Sequence, residues 1–147
     1  MPSSEQPVRY LSAAEVWDIH LEVAAQAQRL GKPFKPACRD KTLFESAVGQ
    51  PRQSFGGVDP YPSAFDKAAV LARGIICGHV FLDGNKRTGL AAAALFLEYN
   101  GCDLDLSDED LLALALDIAG ARDQGKQPIS IAEAAERLRR ASRMGAP

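Results

Sequence analysis

The sequence predicts an all-α fold, a compact bundle of six helices in a single domain. Apolar residues recur at helical spacing in almost every segment of the 147-residue chain. The segments that begin at Ser12, Ser107 and Ser130 each open with this serine followed three residues later by an acidic residue, which is a typical helix start. A hydrophobic fraction of 46% is enough for one core. We expect one domain over residues 1–147, with a core at about 9–142.

The first two helices are predicted from their start and stop signals. A capping box at residues 12–15 opens a helix that runs to about Leu30, where a glycine ends it. A second, shorter helix is expected over residues 41–48. Residues 49–63 contain three prolines and a Gly-Gly pair, which predicts a long irregular segment or a short hairpin. Such a segment inside a compact domain is often functional.

The third and fourth helices flank a turn. An apolar stripe predicts a helix over residues 64–81, and His79 would continue the same face. After the Asp-Gly-Asn turn at 83–85, a fourth helix is expected to run to Tyr99. Residues 91–97 are apolar all round, which predicts a central position for this helix.

The last two predicted helices complete the bundle. Both start after a capping serine, and they are expected over residues 108–121 and 131–142. A short loop with a glycine and a proline separates them. The chain shows no repeat, no low-complexity tract and no linker between domains.

Composition and charge narrow the class of protein. The net charge is -2, so we expect no direct DNA binding, and any polyanion contact should be local. The three cysteines form no CxxC pair, which argues against a zinc ribbon or a disulfide framework. No apolar run approaches the roughly 20 residues of a membrane helix, so no membrane partner is expected. Because the first residues also lack the pattern of a signal peptide, we expect a cytoplasmic protein.

Residues 79–88, with the sequence HVFLDGNKRT, carry the most chemical information. They combine a histidine, a carboxylate, a turn and two adjacent cations at a predicted helix N-terminus, where free N–H groups favour anions. His79 can accept a proton, and Asp83 can hold a divalent metal. The Gly84-Asn85 turn can present backbone N–H groups. This combination suits phosphate chemistry.

Each of these residues also has an ordinary structural interpretation. A single histidine at the end of an apolar helix is more often structural than catalytic, and Asp-Gly alone readily forms a plain turn or a hairpin. The helical flanks disfavour the hairpin. Lys86 and Arg87 oppose the helix dipole by about 0.3–1 kcal/mol each, which indicates an external anion nearby. A zinc site is less favoured, because His20 is distant in sequence and no third ligand is evident.

The pattern His79-x-Phe81-x-Asp83-Gly84-Asn85-Lys86-Arg87 resembles the signature of the Fic/Doc superfamily. Lys86 followed by Arg87 and Thr88, together with Val80, resembles the death-on-curing (Doc) toxin branch. The resemblance extends to residues 10–12, to residues 43–48 together with 51–53, and to residues 95–97, and it covers roughly residues 9–142.

The resemblance implies a motif loop between two central helices of an all-α core, and a role for each motif residue. His79 would be the general base that takes a proton from a target hydroxyl. Asp83 would hold Mg²⁺ on the nucleotide, and Phe81 would pack the loop onto the core. The residues that would grip the phosphates of ATP are Gly84, Asn85, Lys86 and Arg87.

The resemblance also implies a reaction, with alternatives that remain open. Fic enzymes that transfer AMP usually have glycine at the position of Lys86, and the lysine accompanies γ-phosphate transfer in the Doc branch. The leading interpretation is therefore a kinase that modifies a Ser/Thr hydroxyl of a translation protein, by analogy elongation factor Tu. One alternative is a transferase of AMP or another NMP. Another is a non-catalytic binding protein that keeps the motif.

Two kinds of partner follow from this interpretation. The inhibitory S/T-x-x-x-E-G/N pattern of many Fic proteins is not evident, so inhibition is expected from a separate Phd-like antitoxin. The protein substrate is expected to dock on residues 50–63, where Arg52 and Ser54 offer polar contacts. The alternative for this segment is a solvated connector without a docking role.

Overall fold

The computed structural model describes residues 7–144 and contains the six helices that the sequence predicts. In chain order the elements are α1 (Ala13–Arg29), α2 (Lys41–Gly49), α3 (Ala64–Gly78), α4 (Asn85–Tyr99), β1 (Cys102–Leu104), α5 (Asp108–Ala119), α6 (Ile131–Ala141) and β2 (Ser142–Met144). The expected all-α bundle is confirmed, with one small sheet added to it. Among the described helices, none combines the length and apolar composition needed to cross a membrane.

Side-chain caps define most of the helix starts. Ser12 accepts a hydrogen bond from the Glu15 amide at 3.1 Å, and Glu15 accepts one from the Ser12 amide at 2.9 Å, so the predicted capping box is present. At the start of α2, α3, α5 and α6, the side chain of an aspartate or serine likewise accepts a hydrogen bond from the backbone amide three residues later. Helix α4 has no side-chain cap. No capping side chain therefore accepts a hydrogen bond from its first-turn N–H groups.

Helix α3 is the centre of the bundle and packs against α2, α4, α5 and α6. Its small and β-branched residues are buried almost all round, which lets neighbouring helices approach closely. The approach to α4 is closest at Gly89, where a Cβ atom would lie 2.7 Å from Ile76 Cγ1 and 3.1 Å from the Ala72 carbonyl oxygen. Glycine is needed there because of this contact. The predicted central position of α4 is confirmed by its contacts with α1, α3 and α5.

The sheet was not predicted from the sequence. Strands β1 and β2 pair antiparallel, with Cys102 opposite Met144 and Leu104 opposite Ser142. The Asp105 amide extends this pairing by donating to the Ala141 carbonyl at 2.8 Å. The two three-residue strands join the end of α4 to the end of α6. Such short pairings depend on the tertiary arrangement more than on local pattern.

The predicted end of the third helix is wrong. The helix ends at Gly78, three residues before the expected position, because His79 takes the left-handed conformation with φ 48° and ψ 52°. His79 therefore does not continue the apolar face of α3. Val80 and Phe81 instead lie outside the helix, and Phe81 forms an antiparallel bridge with Cys38.

Residues 50–63 combine both forms that the sequence allowed. A turn of 3-10 helix at Gln50–Arg52 is followed by a tight hairpin in which Phe55 and Val58 exchange backbone hydrogen bonds of 2.9 and 3.0 Å. The two central glycines have φ values of 58° and 81°, the positive sign that a type I′ hairpin turn requires. Phe55 and Val58 are each 66% exposed, so the hairpin tip projects from the body.

A buried lysine holds the base of this segment. Lys67 on α3 is 2% exposed, and its ammonium donates to the Asp59 carboxylate at 2.6 Å and to the Tyr61 carbonyl at 2.6 Å. A longer bond of 3.3 Å reaches the Pro51 carbonyl. One ammonium therefore ties three points of the segment to the central helix, and all three of its N–H donors have acceptors.

His20 on α1 fills the space between α4 and the segment that precedes it. Its fully buried ring stacks on Phe81 with centroids 3.8 Å apart, and Nδ1 lies 3.1 Å from the Thr88 hydroxyl. Its Nε2 atom has no hydrogen-bond partner among the described residues. The least costly tautomer has Nδ1–H donating to Thr88, because a buried lone pair without a donor costs less than a buried N–H without an acceptor. Burial lowers the pKa of His20 to about 4, and the charge of Asp83 opposes that shift.

We predict that the folded protein loses stability as the pH falls from about 6.5 to about 4. In this range the unfolded chain protonates His20 and the folded chain does not, so the loss reaches at most about 3 kcal/mol and levels off below pH 4. Urea unfolding of the wild type and His20→Phe at pH 7.5 and pH 4.5 measures the effect. The pKa values of Glu15, Asp59 and Asp117 are lowered in the folded protein, so protonation of these carboxylates in acid also reduces its stability. This contribution is the same in the wild type and in His20→Phe. An equal pH dependence of the two proteins would contradict the prediction.

Candidate active site

The motif loop, residues 79–84, starts in a conformation that is costly for a residue with a side chain. His79 is the only non-glycine residue among residues 7–144 with a positive φ, a conformation that costs roughly 1–2 kcal/mol. Arg39 holds it in place. The guanidinium donates to the His79 carbonyl at 2.8 Å and to the Gly78 carbonyl at 2.9 Å. Arg39 thereby satisfies carbonyl groups at the end of α3 and fixes the point at which the chain turns out of the helix.

A second set of hydrogen bonds, made by the Asn85 side chain, fixes the motif loop at Phe81. The Asn85 side chain accepts from the Phe81 amide at 2.8 Å and donates to the Phe81 carbonyl at 2.9 Å. The amide group of Asn85 is thus engaged with the loop backbone. The donors of Asn85 that remain are its backbone N–H and the second N–H of its side-chain amide. This is narrower than the predicted role of the whole residue in binding phosphate.

The start of α4 is arranged for an anion. Gly84 is the N-cap residue with φ 77°, and no side chain caps the N–H groups that follow it. Asp83 accepts from the Gly84 amide through Oδ1 at 2.7 Å. Among the described residues, no group donates a hydrogen bond to its Oδ2. This second carboxylate oxygen is therefore available to a ligand.

The predicted motif residues border one cleft of about 1150 Å³. They are His79, Asp83, Gly84, Asn85, Lys86 and Arg87. The other walls come from α3, from the segment after α1 and from the connection between α5 and α6. The His79 side chain is exposed toward this space, and the structure gives it no hydrogen-bond partner among the described residues. The folded chain therefore brings a proton acceptor, a carboxylate and two cations to one opening.

The cleft carries more positive than negative charge. Four cations line it, and two carboxylates do. The cations are Lys32, Arg73, Lys86 and Arg87, and the acids are Asp83 and Asp123. Within residues 7–144, none of the four cations forms an ion pair, although basic side chains elsewhere do so repeatedly. In a chain of net charge -2, this is a local concentration of positive charge, which favours an anion over a cation.

The two residues predicted to dock the target lie elsewhere. Arg52 and Ser54 are not among the described residues that line the cleft. The Arg52 guanidinium lies 4.6 Å from the centre of the Tyr10 ring, a cation–π contact that engages one of its faces. Ser54 is exposed. Their docking role stays a prediction.

Sequence reasoning missed three residues that shape this site. Arg39 clamps the motif loop, Phe34 contacts Gly84, and Arg73 adds a cation to the cleft. Arg39 and Phe34 lie in the stretch between α1 and α2, which carries no helical pattern. Pro33 and Pro36 are the only signal in that stretch, because proline favours extended backbone in itself and its neighbour.

We predict that Gly84→Ala destabilises the protein by about 1–3 kcal/mol, because a Cβ atom there would lie 2.6 Å from Phe34 Cζ and because φ is 77°. Urea unfolding of Gly84→Ala, Phe34→Ala and the double variant checks this. The double variant should be more stable than the sum of the single changes implies, since removing the ring removes the clash. Strictly additive losses would mean that the ring and the new methyl group do not meet.

Two comparisons with known proteins agree with this geometry. A family model described as the Fic/DOC family matches residues 10–97, which run from the start of the fold through most of α4 and include the whole motif. A relative named Toxin Doc, from Mycolicibacterium smegmatis, is 40% identical over 98 residues, covering 56% of this chain and 75% of that protein. The resemblance to the Doc branch is therefore confirmed, and the chain belongs to the Fic/DOC family.

Proposed function

We propose that this protein is a transferase that moves the γ-phosphate of ATP to a Ser/Thr hydroxyl of a translation protein, and that it acts as the toxin of a toxin–antitoxin pair. The name of the relative, Toxin Doc, supports the second part. By analogy, elongation factor Tu is the first target to test.

The observation that carries the proposal is the unpaired positive charge beside His79. Lys86 and Arg87 occupy the first turn of α4, where two cations oppose the helix dipole and gain no ion pair from any described residue. The first-turn N–H groups have no capping side chain either. A nucleotide phosphate placed there would receive N–H donors and two positive charges at once.

His79 is proposed as the general base. Its side chain is exposed in the cleft, and Arg39 fixes the backbone that carries it. The imidazole would take the proton of the target hydroxyl while that oxygen forms a bond to the terminal phosphorus. The bond from that phosphorus to the bridging oxygen breaks, and the nucleoside diphosphate leaves. Lys86 and Arg87 would neutralise the negative charge that the reacting phosphates carry.

Asp83 suits a magnesium ion bound to the nucleotide. One of its oxygens is bonded to the Gly84 amide, and the other is available in the cleft. Among the described residues, no three His, Cys, Asp or Glu side chains cluster as metal ligands. A single carboxylate is what Mg²⁺ commonly takes from a protein when phosphates and water supply the other oxygens. When bound, Mg²⁺ would withdraw charge from the phosphates and orient them.

Transfer of AMP is the alternative reaction. Gly84 favours it, since glycine is the residue that typical Fic enzymes have at this point of the motif. Lys86 favours phosphoryl transfer, because the lysine fills the space that glycine leaves open for a phosphate in AMP-transferases. We rank phosphoryl transfer first because Lys86 is one of the unpaired cations in the cleft.

The target is proposed to dock on residues 50–63. Lys67 holds the base of this segment while Phe55 and Val58 stand exposed at its tip. An exposed aromatic and an exposed aliphatic side chain on a fixed hairpin are suited to contact a polypeptide. Arg52 and Ser54 would contribute at the edge of that surface, with Arg52 first leaving or sharing its contact with Tyr10.

A Phd-like antitoxin is proposed to cover the cleft. Three leucines that line it are strongly exposed for their size: Leu30 at 58%, Leu82 at 66% and Leu112 at 53%. A partner segment with apolar side chains would bury them and exclude the nucleotide. The cations that line the same cleft would favour acidic residues in the partner segment.

We predict that the wild type, with ATP and Mg²⁺, adds a single phosphate to elongation factor Tu, and that His79→Ala lowers this activity about 10²–10⁴-fold by removing the proton acceptor. Intact-mass spectrometry of the target measures both the product and the rate. Addition of AMP by the wild type would select the alternative reaction. Unchanged activity in His79→Ala would remove His79 from the mechanism.

A second variant separates chemistry from backbone strain at this position. Asparagine tolerates the left-handed conformation better than most residues, so His79→Asn keeps the turn and still lacks a suitable base. Circular dichroism should show both variants folded. Loss of activity in both variants would then reflect the missing imidazole.

We predict that Lys86→Gly lowers phosphoryl transfer and opens space for another phosphate, so that part of the target carries AMP. The lysine occupies volume that a phosphate needs, and its ammonium binds the oxygens left outside. Mass spectrometry of the modified target distinguishes the products. Lys86→Ala is the matched control, because it removes the charge with less effect on helix stability. Phosphorylation at the wild-type rate by Lys86→Gly would show that Lys86 does not select the reaction.

A further inference from the structure

Arg73 lies on the wall of the cleft that is formed by α3 and not by the motif residues. It sits on α3, six residues before His79, and it lines the cleft together with Ile76 and Cys77 one turn further along. The motif cations Lys86 and Arg87 belong to α4. Arg73 is therefore a separate source of positive charge that enters the same space from another helix.

The Arg73 side chain has an unmet bonding requirement. Its Nε atom is buried and has no hydrogen-bond partner among the described residues. Arginine keeps its proton under all ordinary conditions, so no change of tautomer can relieve this donor, as it can for His20. A buried charged donor without an acceptor is costly, and such groups are rare in folded proteins.

The neighbouring carboxylates do not supply the missing acceptor. Asp83 and Asp123 line the same cleft, yet neither forms an ion pair with Arg73 in the described part of the chain. Asp83 bonds to the Gly84 amide instead. The buried Nε atom is closed to solvent, but Arg73 lines the cleft, so its guanidinium charge is open to a ligand there. An anionic ligand in the cleft would compensate that charge.

We propose that Arg73 forms a second phosphate subsite on the α3 wall, so that a polyphosphate chain is held between Arg73 and the start of α4. The inference rests on the proposed function, because it takes the ligand to be the triphosphate of a nucleotide. Five helical steps lead from Arg73 to Gly78, the residue before His79, which is about 7.5 Å along the axis. Linked phosphates can contact both sets of cations at once more readily than a single phosphate can.

Binding of two inorganic probes tests the subsite without any transfer reaction. Isothermal titration calorimetry compares tripolyphosphate with orthophosphate on the wild type, Arg73→Gln and Lys35→Gln. Lys35 is an exposed cation outside the cleft lining, so its variant removes the same charge from a different place. Arg73→Gln should weaken tripolyphosphate about 10–100-fold, as expected for a lost charge-assisted hydrogen bond, and leave orthophosphate within about twofold. Lys35→Gln should change neither.

The outcomes separate this inference from the proposed function. Wild-type binding of ATP and tripolyphosphate that survives in Arg73→Gln overturns the subsite and leaves the proposed function standing. Wild type that binds neither ATP nor tripolyphosphate contradicts both. Thermal unfolding confirms that each variant is folded.

If Arg73→Gln does not fold, Arg73→Lys replaces it. Lysine keeps the charge but lacks the planar guanidinium that can donate to two phosphate oxygens at once, so the affinity of this variant for tripolyphosphate should fall below the wild-type value. Equal affinity in Arg73→Lys would then count against the subsite.

Discussion

The site depends on one constraint, the left-handed turn at His79. If α3 continued through this residue, Val80 and Phe81 would remain helical and the motif loop would not form. Arg39 stabilises the turn by bonding the Gly78 and His79 carbonyls, and Asn85 fixes the chain again at Phe81. The conformational cost at His79 is therefore offset by hydrogen bonds from two sides. The start of α4 is placed opposite His79 as a consequence.

Much of the fold could be predicted from the sequence, because local signals and tertiary packing agree there. The box of Ser12 and Glu15 and the serines before the last two helices cap helices as expected. The apolar faces of α3 and α4 pack together in the core. These helices are predictable because a capping residue and an apolar stripe are local signals that indicate the same helix, and neither signal depends on distant parts of the chain.

The parts that could not be predicted depend on distant partners. Helix α3 ends at Gly78 because Arg39, forty residues earlier than His79, bonds its last carbonyls. The pairing of β1 and β2 joins residues about forty positions apart. For the candidate site, the sequence motif identified six of the residues that line the cleft. It did not indicate that the Asn85 amide bonds the loop, or that Arg73 contributes from α3.

The anchored hairpin combines a base that is fixed to the fold with a tip that contributes little to folding. Lys67 fixes the base of residues 50–63, whereas Phe55 and Val58 at the tip bury little surface within the chain. Substitutions at exposed positions of this kind usually change the folding free energy by less than about 0.5 kcal/mol. The tip can therefore diversify during evolution while the bundle and its clamps stay the same. Under the proposed docking role, related proteins could acquire different targets in this way without a change at the motif loop.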